Sequence, residues 1–324
     1  MKVLVTGASG MLGRGVARAL LARGDDVTVL QRRPSGVDCR EVLGDVAESD
    51  VVLGAAAGAD AVVHLAAKVD VVGRWAEYVH ANVVGTRAVV DACRGAGVGR
   101  LVNVSSPSVA HAGRSLVGAG AGPADPERAR GFYARSKALA EQAALAADSS
   151  QLGVLSVRPH LVWGPGDTQL VGRIIDRARA GRLPLIASGA ALIDTTYVDN
   201  AVDALVAAVD VCSTDGVHGA ALVVSNGEPR PVGEVLRRLC AAAGVPAPSR
   251  RVPLGLALAA GAAAEGVWTV LDRRDTPPLT RFLAEQLATA HWFDQRRTRE
   301  ALRWTPRTSL AQGFAALAEH YRTR

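Results

Sequence analysis

The stretch Thr6-Gly7-Ala8-Ser9-Gly10-Met11-Leu12-Gly13 restricts the possible folds of this chain more than any other. It follows a continuous β-branched run, Lys2–Thr6, and leads into a helical pattern over Met11–Arg23. Glycines at 7, 10 and 13 let the backbone turn tightly between strand and helix. They also let an anion approach the positive N-terminus of that helix. With 34 glycines in the chain a triplet can arise by chance. The strand–turn–helix context is what gives this one meaning.

The rhythm continues. Strands are predicted at Val27–Gln31, Glu41–Leu43, Ala61–Leu65, Leu101–Ser105 and Val154–Arg158, with helices around Val51–Gly58, Arg74–Ala96 and Ala134–Ala147. Apolar strands alternating with helices imply an α/β fold, a doubly wound parallel sheet of Rossmann type covered on both faces. After about residue 163 prolines punctuate shorter helices. The expected organisation is a dinucleotide-binding domain over 1–163 and a smaller, mostly helical substrate lobe over 164–324. A return segment near 195–225 comprises helix Val198–Val209 and strand Ala221–Ser225. The Gly- and Ala-rich stretch Ala110–Gly131 reads as an unpatterned loop.

Composition narrows the function classes. At 324 residues, 49% hydrophobic and 21% charged, the chain reads as an ordinary globular protein. Its net charge of +6 is scattered, and the basic pairs Arg237-Arg238, Arg250-Arg251, Arg273-Arg274 and Arg296-Arg297 are short. With 4% aromatics and no basic–aromatic interleaving, nucleic acid is not an expected partner. Cys39, Cys93, Cys212 and Cys240 are far apart, as for reduced thiols in the cytoplasm. The chain opens directly on a strand pattern, so no signal peptide is expected. No His/Cys/carboxylate cluster has metal spacing. Pro253–Leu271 is apolar but holds Glu265 and four glycines. It reads as a core or pocket helix that could line a hydrophobic channel, with membrane-surface contact as the lesser option.

Several positions carry candidate chemistry. A dinucleotide pyrophosphate would lie on Gly7, Ser9, Gly10, Met11, Leu12 and Gly13. The second strand ends in Gln31-Arg32-Arg33-Pro34, where an acidic residue would suit a ribose 2′-hydroxyl. Arginine suits a 2′-phosphate, so NADPH is favoured over NADH, unless Arg32 and Arg33 are merely solvated. Asp45 and Val46 follow the third strand, where an adenine would lie, although Asp45 could equally be a turn residue. Leu65, Ala66 and Ala67 leave room for cofactor contacts. Lysine is scarce: Lys2, Lys68 and Lys137, against thirty-four arginines. Lys137 stands four residues after Tyr133, on one helix face, where an ammonium would lower the phenol's pKa.

T-G-x-x-G-x-x-G, H-L-A-A at 64–67, S-S at 105–106, Y-x-x-x-K at 133–137 and R-P-x-x-x-x-G-P-G at 158–166 occur in order. Together they resemble the extended short-chain dehydrogenase/reductase family. Segments 194–205 and 292–314 resemble its 3β-hydroxysteroid dehydrogenase-like branch, which includes bacterial 2-alkyl-3-oxoalkanoate reductases. The resemblance implies catalytic Ser106, Tyr133 and Lys137. Ser106 would bond the substrate carbonyl, Tyr133 would donate the proton and contact the bound cofactor, and Lys137 would hold the nicotinamide ribose. Pro159 would lie against the nicotinamide. It also implies a homodimer paired through helices 74–96 and 134–147.

Ser105 and Ser108 remain competitors for the serine role. Val109-Ala110-His111 replaces the V-Y-G of many sugar-nucleotide members, which argues against a nucleotide-sugar enzyme. The expected activity is NADPH-dependent reduction of a ketone on a hydrophobic substrate, a β-keto acid first. The alternatives are a 3β-hydroxysteroid dehydrogenase, a nucleotide-sugar epimerase, or a non-catalytic dinucleotide sensor. His64 reads as a satisfied core histidine, His111 as structural or solvated, and His160 as either structural or touching substrate. Lys68 and Asp70 read as pocket-rim charges.

Overall fold

The protein is described by a computed structural model over residues 1–70, 73–111, 113–271, 277 and 279–323; the Arg273-Arg274 pair lies outside this set. Val3, Leu4 and Val5 of β1 (Lys2–Thr6) are all buried, as both faces of a covered parallel strand must be. Then follow α1 (Met11–Ala22), β2 (Asp26–Gln31), β3 (Arg40–Leu43), α2 (Ser49–Ala56) and β4 (Ala61–His64). Next come α3 (Trp75–Tyr78), one π turn over Val79–Val84, α4 (Gly85–Ala96) and β5 (Arg100–Val104). After a 3₁₀ turn at Pro107–Ala110 lie β6 (Leu116–Ala119), α5 (Gly131–Leu145) and β7 (Gly153–Pro159).

The seven strands of the main sheet are all parallel. Their order is Ala220–Val224, β7, β5, β4, β1, β2, β3. The chain therefore runs outward from β1 in one direction and from β4 in the other. The gap between the C-terminal ends of β1 and β4 is the switch point where ligands of such sheets bind.

Two apolar cores flank the sheet. On one face Val16 and Leu20 of α1 pack with Val202 and Leu205 of helix Val198–Val211. Each such leucine contributes about 2 kcal/mol by leaving water. Gly15 lets these helices meet, since a Cβ there would lie 2.6 Å from Val202 Cγ2. On the other face α2, α4 and α5 cover the sheet through Val52, Val89 and Ala144. Helix Val198–Val211 packs on α1, and strand Ala220–Val224 pairs with β7 at the edge of the sheet.

Two expectations need correction. The single helix predicted over 74–96 is interrupted by the π turn, a wide turn often found at functional sites. The loop predicted over 110–131 contains β6, which pairs in parallel with strand His291–Phe293. Leu-Val-Gly-Ala is too short and too small to signal a strand by pattern; its partner lies far along the chain.

Candidate active site

The switch point is crowded with backbone. Gly7 has φ +80°, and a Cβ there would lie 2.7 Å from the Ala66 nitrogen. A Cβ on Gly13 would lie 2.4 Å from the Gly7 oxygen. Packing therefore dictates both glycines. Gly10 differs: its nearest neighbour would be at an ordinary 3.5 Å, and it is exposed. It stands at the N-cap of α1 with no side chain closing the first turn. The free N–H groups there are left for an anion, flanked by half-buried Ser9, Met11 and Leu12. These residues fit a dinucleotide pyrophosphate.

His64 braces the same place. The Thr6 hydroxyl accepts from the Ala66 N–H (3.2 Å) and so donates to His64 Nδ1 (2.8 Å). Nε2 then donates to the Thr86 hydroxyl (3.0 Å), which donates to the Asn82 carbonyl (2.7 Å). The tautomer follows from this network. Burial, aided by the Lys137 charge, holds His64 down at about 3, so it is the satisfied core histidine expected.

The other cofactor candidates divide. Arg32 and Arg33 are exposed at the end of β2 and have no hydrogen-bond or ion-pair partner among the described residues. Glu41 on β3 is instead engaged by Ser35 and Gln31. Asp45 Oδ1 accepts from the Ala47 N–H at 2.9 Å, the turn role. Val46 is buried in the core against Gly85, leaving only its backbone for a ligand. Leu65, Ala66 and Ala67 are half-buried after β4. Pro159, also half-buried, ends β7 opposite Val224. Lys68 pairs with Asp70 at 3.0 Å and with Glu77 at 3.1 Å.

The fold brings Ser106, Tyr133 and Lys137 together where β5 runs out. Ser106 caps the 3₁₀ turn: its hydroxyl accepts from the Ser108 N–H (3.3 Å) and pairs with the Ser108 hydroxyl (2.9 Å). The Tyr133 hydroxyl lies near enough to it for Ser106 to pull the phenol's pKa down. Ser105 is buried, and its hydroxyl has no partner among the described residues. Lys137 is buried on α5 and donates to the Val104 carbonyl at 2.7 Å.

The electrostatics differ from the expectation that Lys137 lowers the phenol. Part of the Tyr133 side chain is exposed, but its hydroxyl lies deep. Burial raises its pKa, only partly offset by Ser106. Lys137 is itself brought down to about 8 by burial, opposed by Glu141. The phenol is thus held protonated at neutral pH, as a proton donor should be.

Several residues here gave no clear signal in the sequence. Asn82, in the π turn, accepts from the Lys68 N–H (2.7 Å) and donates to the Ser136 hydroxyl (2.9 Å). It thereby ties the segment after β4 to α5. Glu141, one turn beyond Lys137, pairs at 2.5 Å with Arg158, and both are fully buried. Its spacing from Lys137 was the only available clue. His111, His160 and His291 form a buried cluster, with His111 Nε2 and His291 Nε2 2.7 Å apart. His160 Nδ1 bonds the Asp194 carbonyl, and the buried Asp194 carboxylate accepts from Ser225 at 2.5 Å.

A cavity of about 310 Å³ opens beyond Ser106, lined by Pro107, Ala110, His111, Leu116, residues 119–123, Asp125, Arg128 and Phe293. The expected contribution of Pro253–Leu271 is absent from this lining. Leu254–Val270 is a helix instead exposing Leu256, Val267 and Val270. Among the described residues no helix is long and apolar enough to cross a membrane, and no group of side chains could hold a metal ion.

A crowded glycine turn at a sheet switch point, beside a Ser–Tyr–Lys set, defines an NAD(P)-dependent oxidoreductase of the extended short-chain dehydrogenase/reductase type. Residues 3–224 match the NAD dependent epimerase/dehydratase family, and the chain belongs to it. It is 42% identical over 326 residues to a 2-alkyl-3-oxoalkanoate reductase of Stenotrophomonas maltophilia, with 98% of each chain covered. It is 28% identical to a human sterol-4-alpha-carboxylate 3-dehydrogenase, decarboxylating, covering 98% of this chain and 87% of that protein. Among solved structures, MoeE5 in complex with UDP-glucose and NAD superposes with a TM-score of 0.76 at 26% identity, covering 100% of this chain and 99% of that one.

Proposed function

We propose that the chain is an NADPH-dependent reductase of a ketone on a hydrophobic β-keto acid of the 2-alkyl-3-oxoalkanoate type. The observation that carries this reading is the protonated Tyr133 phenol near Ser106, whose chain neighbour Pro107 begins a cavity lined largely by small apolar residues. When bound, the reduced nicotinamide supplies the hydride that adds to the ketone carbon. The Ser106 and Tyr133 hydroxyls point donors at the oxygen where negative charge builds, and Tyr133 passes its proton there. Lys137 holds the cofactor ribose, and Pro159 backs the nicotinamide. The unpaired Arg32 and Arg33 take the ribose 2′-phosphate.

The 42% identical reductase supports the substrate class. The sterol dehydrogenase supports a second reading, oxidation of a 3-hydroxyl, and its name also places a carboxylate on the adjacent carbon. In either reading residues 1–163 hold the cofactor and 164–324 complete the substrate side. The working form is a cytoplasmic homodimer joined through α4 and α5, whose neighbourhood exposes Val84 and Phe132.

The test is NADPH consumption by the purified protein with a 2-alkyl-3-oxo acid and a 3-oxosteroid in parallel, with product analysis of UDP-glucose incubated with the protein and NAD. Turnover of the oxo acid alone supports the proposal. Turnover of only the steroid overturns the substrate class. Cofactor binding with no turnover of any ketone would make the protein a sensor.

A further inference from the structure

Arg158 is the largest charged side chain that the fold buries completely. Its Nε and Nη2 form a fork to Glu141, at 2.8 and 2.5 Å. Its remaining donors leave the helix altogether: Nη1 bonds the Ala121 carbonyl, and Nη2 the Gly122 carbonyl at 3.1 Å. Glu141 lies on the face of α5 that carries Tyr133 and Lys137, while Ala121 and Gly122 lie in the cavity wall. Ala119 is fixed at the end of β6, where its carbonyl accepts from the Asp294 N–H at 3.0 Å. Beyond it Gly120-Ala121-Gly122-Pro123 has no large side chain to anchor it, and Gly122 sits at φ +59°.

Burying a guanidinium and a carboxylate costs several kcal/mol each before their attraction is counted, so such a pair is a poor device for stability alone. Its geometry does what an apolar contact cannot. A planar fork binds a carboxylate and two backbone carbonyls in fixed directions at once.

We propose that Arg158 is a positioning residue that locks the cavity wall 119–123 to the catalytic helix, so that one side chain sets the distance between the ketone's alkyl part and Tyr133. This rests on the reductase reading for its substrate but not for its geometry. The same pair also bears on Lys137, because Glu141 opposes the burial that lowers its pKa.

The tests are Arg158→Lys and the double variant Arg158→Met with Glu141→Leu. Lysine keeps the charge beside Glu141 but loses the fork. The double variant removes both buried charges and is the one expected to fold readily. In either, NADPH affinity should stay within about threefold, the KM for a 2-alkyl-3-oxo acid should rise at least about tenfold, and kcat should fall less. Amide hydrogen exchange of residues 120–122 should quicken at least about tenfold, with β1 unchanged. Unaltered exchange at 120–122 in a folded variant would overturn the proposal, as would a KM that rises only in step with the NADPH dissociation constant. If the wild type reduces no ketone, the functional reading fails, and the exchange experiment alone decides the clamp.

Discussion

At the dinucleotide end of the crevice backbone meets backbone, with Gly7 against Ala66 and Gly13 against Gly7. At the ketone end β6 has its strand partner, but the segment after it and His111 before it are bonded by side chains reaching in from elsewhere, Arg158 from β7 and His291 from the strand His291–Phe293. The first end tolerates almost no change because nothing there can move aside. The second is adjustable: its small residues leave space, and its anchors are polar groups whose charge depends on solvent and pH. A family can thus keep one cofactor and vary its substrates by altering only one end.

The contrast can be broken at either side. The largest effect belongs to Gly13→Ala, whose new methyl would meet a backbone oxygen; it should cost about 3 kcal/mol and most of the NADPH affinity. Thermal melting and cofactor titration would show this, and an alanine accepted without loss would deny that packing dictates this turn.

Next comes acid. Burial holds His160 at about 4 and His64 and His291 at about 3, below the ordinary 6.5. Between these values the unfolded chain binds more protons, so stability falls as pH drops. Asp194, raised to about 6 by burial, works against this below pH 6, since the folded state then takes up its proton more readily than the unfolded. Three histidines outweigh one aspartate, and the net loss should be roughly 2 kcal/mol from pH 6 to 5. Amide exchange should show the ketone end, with His160 and His291, opening before β1. Simultaneous opening would remove the distinction between the ends.

Arg32→Asp should lower NADPH affinity about tenfold and spare NADH, roughly 1.4 kcal/mol, as read by cofactor fluorescence. An unchanged preference would leave the 2′-phosphate without its assigned partner. The smallest effect is Gly120→Ala: no atom lies within 4 Å of the added methyl, and stability should shift by no more than about 0.5 kcal/mol. A large loss there would mean that the ketone end is as crowded as the other.

The same contrast explains what could be read from the sequence. Strand, glycine turn and helix lie within two dozen residues, so Lys2–Ala22 announces both its structure and its ligand. Tyr133 and Lys137 share a helix face by spacing alone, so their meeting was also legible. The sign of the phenol's shift was not, because it depends on burial, which Ser106 offsets only in part. Arg158 with Ala121, and His111 with His291, are contacts between segments that no local pattern relates. Nor does any periodicity mark the π turn that places Asn82 between Lys68 and Ser136.

The proposed reaction turns on one phenol, Tyr133, which stands beside the cofactor and gives the proton. Single-turnover oxidation of bound NADPH by a 2-alkyl-3-oxo acid, compared between the wild type and Tyr133→Phe, tests it most directly. The variant should bind NADPH within about threefold of the wild type and transfer hydride about 10²–10⁴-fold more slowly. A Tyr133→Phe protein that transfers hydride at the wild-type rate would contradict the account.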